Sequence, residues 1–161
     1  MSLKKISKTK FEKCIDVYFE WKELSEKIKE EYGRGLNLPE MISEYICCYV
    51  NGFEHSTGKG SEDAIGKDGK EIQIKATSNY NSDLSSFGPK SKFEELHFVR
   101  LNQNKDFMEL YQIPIEELEE VEVKKNTTFR ERQKEGKRPR FSIIDKIIEP
   151  NNLEPSSNIS E

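Results

Sequence analysis

Cysteine is scarce and badly placed for a covalent scaffold: Cys14, Cys47 and Cys48 are an odd three, two of them adjacent. That set excludes a disulfide framework, and without a Cys-x-x-Cys pair it offers no zinc site. Thiols used as small apolar fillers fit a reducing, cytoplasmic compartment. Long hydrophobic runs are missing too. Nothing approaches the roughly 20 apolar residues that a bilayer-spanning helix needs, so no membrane span is expected. The basic start, residues 1–10, has no apolar stretch behind it and does not read as a secretory signal. Positive net charge is also absent, the formal charge being -4. Taken alone, that speaks against a polyanionic partner such as DNA, but the charges are segregated.

What is present suits one compact domain of 161 residues. Charged residues reach 35%, yet nine Phe, six Tyr and one Trp supply enough aromatic surface to argue against disorder. Apolar residues at 11, 14, 15, 18, 21, 24 and 28 keep helical spacing and predict an amphipathic helix over 11–31, ended by Gly33. Asn37, Pro39 and Glu40 read as cap, first turn and capping-box acid of a second helix. It carries Met41, Ile42, Tyr45, Ile46, Tyr49 and Val50 and stops near Asn51-Gly52. Residues 54–61 read as a loop. The Asp68-Gly69 pair between two short segments then signals a β-hairpin. Its second strand alternates, with Ile72, Ile74 and Ala76 on one face and Glu71, Gln73 and Lys75 on the other.

Beyond a polar loop at 79–86, strands are expected at 95–101 and 107–113, then an acidic surface helix at 115–122. Residues 124–146 hold nine basic side chains against three acidic ones. From 149 the chain lacks periodicity and reads as a flexible tail on a single domain of residues 1–148. The pattern predicts an α/β fold with a central mixed sheet flanked by helices.

The hairpin carries the chemistry. Asp63 on its first strand faces the second, where Gln73 and Lys75 share a face about 7 Å apart. A hard cation such as Mg²⁺ takes oxygen ligands, typically one or two carboxylates with water and a substrate phosphate. A lysine beside it can orient or deprotonate an attacking water and offset charge on phosphorus. The combination suits phosphodiester hydrolysis; the competing reading is a surface hairpin with mixed charges.

Asp63 followed by Gln73-Ile74-Lys75 resembles the PD-(D/E)xK nuclease motif, with Gln in place of the second acid. Three stretches, GRGLNLPEMISE at 33–44, QIKATS at 73–78 and DLSSFGP at 83–89, resemble one subgroup of that superfamily. It comprises the small type II restriction endonucleases of the Bsp-six-I-like kind, which cut GC-N-GC, and the resemblance runs over 21–144. It implies a restriction-endonuclease-like core and Mg²⁺-dependent cleavage of double-stranded DNA. In-line attack of water on phosphorus would leave a 5′-phosphate and a 3′-hydroxyl. It also implies a homodimer on a palindromic site, with a cognate methyltransferase protecting host DNA. Asp63 becomes the metal carboxylate, Gln73 takes the second ligand's place, and Lys75 is the catalytic lysine. Because an amide oxygen brings no charge, Glu44 is the candidate to restore the missing anion, ahead of Glu71 and Glu62. Glu40 reads as a capping residue.

The basic segment supplies a second constellation. Arg130, Arg132, Gln133, Lys137, Arg138 and Arg140 lie among Thr, Asn and Phe residues, with Gly136 and Pro139 suggesting a loop able to follow a duplex. Lys and Arg neutralise phosphates, and Arg and Gln can read base edges bidentately. A solvated basic surface is the competing reading. His55 and His97 are far apart and carry no assigned chemistry; His97 reads as a packed strand residue. A non-catalytic DNA-binding domain, or a repair or junction nuclease on the same scaffold, stays open.

Overall fold

The structure is a computed structural model and describes residues 2–57 and 62–160. After a short strand β1 (Leu3–Lys5), helix α1 spans Lys8–Tyr32. It starts about one turn before its apolar pattern because the Ser7 hydroxyl accepts from the amide of Lys10 and caps it. Gly33 ends it with φ 79°, a left-handed turn in which its amide donates to the Lys29 carbonyl. Gly35 is required for a different reason. A Cβ there would meet the Ser25 hydroxyl at 2.5 Å, so only glycine lets the chain fold back along α1.

Helix α2 (Glu40–Asn51) begins at Glu40 with Pro39 in the cap position. Asn37 is not the cap. Its carbonyl instead accepts from the indole of Trp21, which ties the connection to α1. Cys47 and Cys48 are buried on α2, Cys14 is buried on α1, and burial pushes all three thiols upward, so they act as fillers.

The expected loop at 54–61 contains a strand, β2 (Glu54–Ser56), while residues 58–61 lie outside the described residues. The hairpin forms as its Asp-Gly signal predicts, from β3 (Ala64–Ile65) and β4 (Glu71–Thr77). A crossover carrying β5 (Ser85–Ser86) leads to β6 (Glu95–Asn102), which lies parallel to β4. β7 (Phe107–Ile113) returns antiparallel beside it. The acidic helix α3 covers Ile115–Glu120. The basic segment is partly folded, with the expected connection at 135–139 around Gly136 and Pro139. β8 (Glu122–Lys124) and β9 (Thr127–Thr128) pair, and α4 (Phe129–Lys134) starts on a reciprocal capping box between Thr128 and Glu131. β10 (Arg140–Phe141) pairs with β5.

A π-helical turn at Ile144–Ile148 runs into a single turn, α5 (Glu149–Asn151). Residues 149–161, expected to form a flexible tail, instead contribute α5 and an edge strand, β11 (Ser157–Ser160), antiparallel to β7. The polar text of this segment suits an edge: Ile159 packs on the core while its neighbours face solvent. The main sheet is therefore mixed and seven-stranded, in the order β1-β2-β3-β4-β6-β7-β11.

Both faces of the sheet are covered, as a parallel pair at its centre requires. Ile72, Ile74, Val99, Leu101 and Leu110 pack under α1 and α2. On the opposite face Leu96, Phe98, Tyr111 and Ile113 meet Phe87, Phe129 and the Ile143–Ile148 turn. Strand β6 alternates between the two clusters and is buried on both sides, so it anchors the β3–β4 hairpin through β4.

Candidate active site

Register builds the site. Ala64 pairs with Ile72, so the next step outward sets Asp63 opposite Gln73. One Asp63 oxygen accepts from the Ile74 amide at 2.7 Å and from the Gln73 side-chain amide at 3.0 Å. That leaves Gln73 Oε1 buried and without a hydrogen-bond partner. A buried amide oxygen left unpaired is costly, and its lone pairs stay available to a donor or a cation.

α2 brings Glu44 to the same place. Asp63, Gln73, Lys75 and Glu44 line one cleft of about 420 Å³ together with Glu40, Ser43, Ser78 and Asp83. The three stretches that carry the family resemblance, which are distant in sequence, thus contribute to a single cleft. Glu62 and Glu71, the alternative acids, are not among its walls. Glu40, read as a capping residue, opens the helix and faces the cleft instead.

The electrostatics are unusual for a surface hairpin. Burial, with the neighbouring Glu44 carboxyl, pushes Asp63 up to about 7, against the lowering effect of the Ile74 amide. Burial lowers Lys75, whose ammonium sits 5.0 Å from the ring centroid of Phe87 in the crossover. Phe87 is itself buried among Phe93, Phe129 and Phe141, so the lysine is held by a rigid aromatic wall.

Two residues without a role in the sequence reading also shape the cleft. His55 on β2 is 3% exposed, and its Nε2 lies 3.3 Å from Glu44 Oε2. The Tyr45 ring packs roughly perpendicular to its imidazole, with the centroids 5.1 Å apart. Only the strand at 54–56, hidden in apparently loop-like text, could have signalled it. Asp83 accepts from the hydroxyls of Ser85 and Ser142 and from the amides of Ile143 and Ile144. It thereby clamps the DLSSFGP crossover to the C-terminal helical turn, and the acid in that stretch was its only signal.

The basic constellation divides. Gln133 is not a surface residue. It is buried, with its amide nitrogen donating to the carbonyls of Gly88 and Ser91 and its oxygen accepting from Arg130. Arg130 is paired with Glu119 and Arg132 with Glu135. Lys137, Arg138 and Arg140 are exposed, and Arg138 reaches Ser86 Oγ at 3.2 Å, on the crossover beside Phe87. Its charge is felt at Lys75.

A mixed sheet flanked by helices, with an acid-amide-lysine cleft beside the central strands, is consistent with a restriction-endonuclease-like core. Residues 6–150 match the family model described as Bsp6I restriction endonuclease. The chain is also similar to the type II restriction enzyme Bsp6I of Bacillus sp. (strain RFL6), with 42% identity over 157 residues, 96% of this chain and 90% of the relative. The chain belongs to the Bsp6I restriction endonuclease family and is a restriction endonuclease.

Proposed function

We propose that the protein is a type II, site-specific deoxyribonuclease of the PD-(D/E)xK kind. It would hydrolyse double-stranded DNA with Mg²⁺ at a GC-N-GC-like site and leave 5′-phosphates. The observation that carries this is the orphaned Gln73 oxygen, buried beside the Asp63 carboxylate in the cleft that also holds Lys75 and Glu44.

The donor set fits a hard divalent cation. Among the described residues no three His, Cys, Asp or Glu side chains converge, so the set is two carboxylates and one amide oxygen, open on the remaining sides. Asp63, Glu44 and the Gln73 oxygen would hold the ion. Bound there, Mg²⁺ supplies a compact positive charge against the oxygens of the reacting phosphate.

The protein groups do the rest. His55 fixes the Glu44 carboxylate from behind, and the Ile74 amide fixes Asp63. Lys75, with its pKa lowered by burial, donates to a phosphate oxygen or accepts the proton of the attacking water as it approaches in line. Asp83 and Phe87 keep the crossover in place. Lys137, Arg138 and Arg140 neutralise phosphates of the duplex, and Arg138 and Arg140 are the base-reading candidates. A palindromic target cut on both strands is matched by a homodimer, with a cognate methyltransferase as functional partner in the cytoplasm.

Digestion of plasmid DNA with and without Mg²⁺ tests the reading. It expects discrete fragments only with the metal, and ends that map to GC-N-GC with a 5′-phosphate. Binding without cutting points to a non-catalytic domain, and structure-selective nicking to a repair or junction nuclease.

A further inference from the structure

The loop from β4 to β5, residues 78–84, begins three positions after Lys75, at the carboxyl end of β4. Open α/β sheets place their ligands at such strand ends. Ser78, Asp83 and Leu84 line the cleft, and residues 79, 81, 82 and 84 are exposed. Polar surface text of this kind is ordinarily mobile. Here every second backbone carbonyl, at 78, 80 and 82, is held by a side chain from β4, from β6 or from the turn after β6. The Gln103 amide donates to Ser78 at 2.7 Å, Arg100 Nε to Tyr80 at 2.6 Å and the Thr77 hydroxyl to Ser82 at 2.8 Å.

Arg100 makes the most extensive of these ties. It is 6% exposed on β6, and its guanidinium carbon lies 3.9 Å from the centre of the Tyr80 ring. The Tyr80 hydroxyl donates at 2.5 Å to Glu109, the register partner of Arg100 on β7. The other Glu109 oxygen accepts from the Tyr111 hydroxyl. Glu149, 3.6 Å from Arg100, is 64% exposed. A buried guanidinium is costly to strip of its partners, so Arg100 and the docked Tyr80 stabilise each other. The buried charge thus fixes a surface loop, and a loop fixed in advance loses less entropy on binding.

Leu84 ends the loop 64% exposed, the one exposed large hydrophobic side chain among the described residues of the cleft. Charged groups suit phosphates, whereas an aliphatic side chain suits the sugars and bases between them. We infer that the 78–84 loop is a preformed DNA-contact wall of the cleft. Leu84 packs on the nucleotide beside the reacting phosphate, and Arg100 is the positioning residue that holds the loop through Tyr80. The inference rests on the DNA-cleaving reading and adds to it a contact element separate from the basic segment.

Amide hydrogen exchange of the full chain, with and without a duplex oligonucleotide carrying GC-N-GC in Ca²⁺, reads the loop without reference to cleavage. The duplex should slow exchange over 78–84 in the wild type. In the free protein, Tyr80→Ala should speed exchange there about tenfold or more and leave β6 and β7 unchanged. Tyr80→Phe keeps the ring over Arg100 and should stay within about threefold of wild type. Leu84→Ala, at an exposed position, should keep the wild-type melting temperature and weaken Ca²⁺-supported binding about tenfold. Each of four results overturns the inference: a loop indifferent to the duplex, wild-type loop exchange in Tyr80→Ala, Tyr80→Phe as fast as Tyr80→Ala, or wild-type binding by Leu84→Ala. A wild type that cuts no DNA while the duplex still protects the loop contradicts the nuclease reading and supports the contact wall. Cutting with an unprotected loop does the reverse.

Discussion

His55 Nε2 stands 3.3 Å from Glu44 Oε2, a contact that links β2 (Glu54–Ser56), paired between β1 and β3, to the helix that completes the cleft. Removing it with His55→Ala should weaken metal affinity by roughly 10- to 100-fold, the usual effect of losing an outer-shell partner. His55→Gln, which keeps a donor near the same place, should recover much of the loss. Mg²⁺ titration of cleavage, with Ca²⁺-supported DNA binding in parallel, separates this from a general loss of fold.

The raised Asp63 pKa gives a stability prediction with a definite sign. The folded protein holds the Asp63 proton up to about 7, whereas the unfolded chain releases it near 3.8. Between those values the folded state binds more protons, so this group's contribution to stability falls as pH rises through the window. Asp63→Asn should therefore raise the melting temperature of the metal-free protein at pH 8. The gain should shrink below pH 7 and vanish near pH 4, while cleavage is abolished. An equal effect at pH 4 and pH 8 would contradict the assignment.

Gln133 and Arg138 should part company. Gln133→Ala leaves two backbone carbonyls without their donor and should cost about 1–3 kcal/mol of stability. Arg138→Ala should leave the melting temperature nearly unchanged and lower the slope of log binding constant against log salt by about 1. Thermal melts and binding measured across salt concentrations check both.

Deleting residues 153–161 should bare the outer edge of β7 and uncover the core contact of Ile159. A fall in melting temperature of roughly 5 °C or more, with concentration-dependent aggregation, is expected from an unprotected edge. An unchanged melt would show that the strand adds nothing.

Much of this architecture was legible because it is written in local chemistry. The heptad-like spacing of α1, Gly33 as its stop, the Asp68-Gly69 turn and the alternation of Glu71–Thr77 each depend on neighbours in sequence. The meeting of Asp63, Gln73 and Lys75 follows from one hairpin register. What was not legible depends on distant partners. β11 exists because β7 offers an unpaired edge, and its own polar text gives no strand signal. Gln133 became structural through carbonyls more than forty positions away. The capping box Thr128–Glu131 was in plain sight, but the density of charge around it masks the short helix that it starts. Asn37 is not the cap because the helix starts only at Glu40, which puts Pro39 in the cap position.

The most direct test of the cleft as catalytic centre compares Lys75→Ala with wild type in single-turnover cleavage, with Ca²⁺-supported binding to the same DNA measured alongside. Lys75→Ala should bind within about threefold of wild type and cut at least about 100-fold more slowly. Cleavage by Lys75→Ala at the wild-type rate would contradict a reaction centred on Asp63, Gln73 and Lys75.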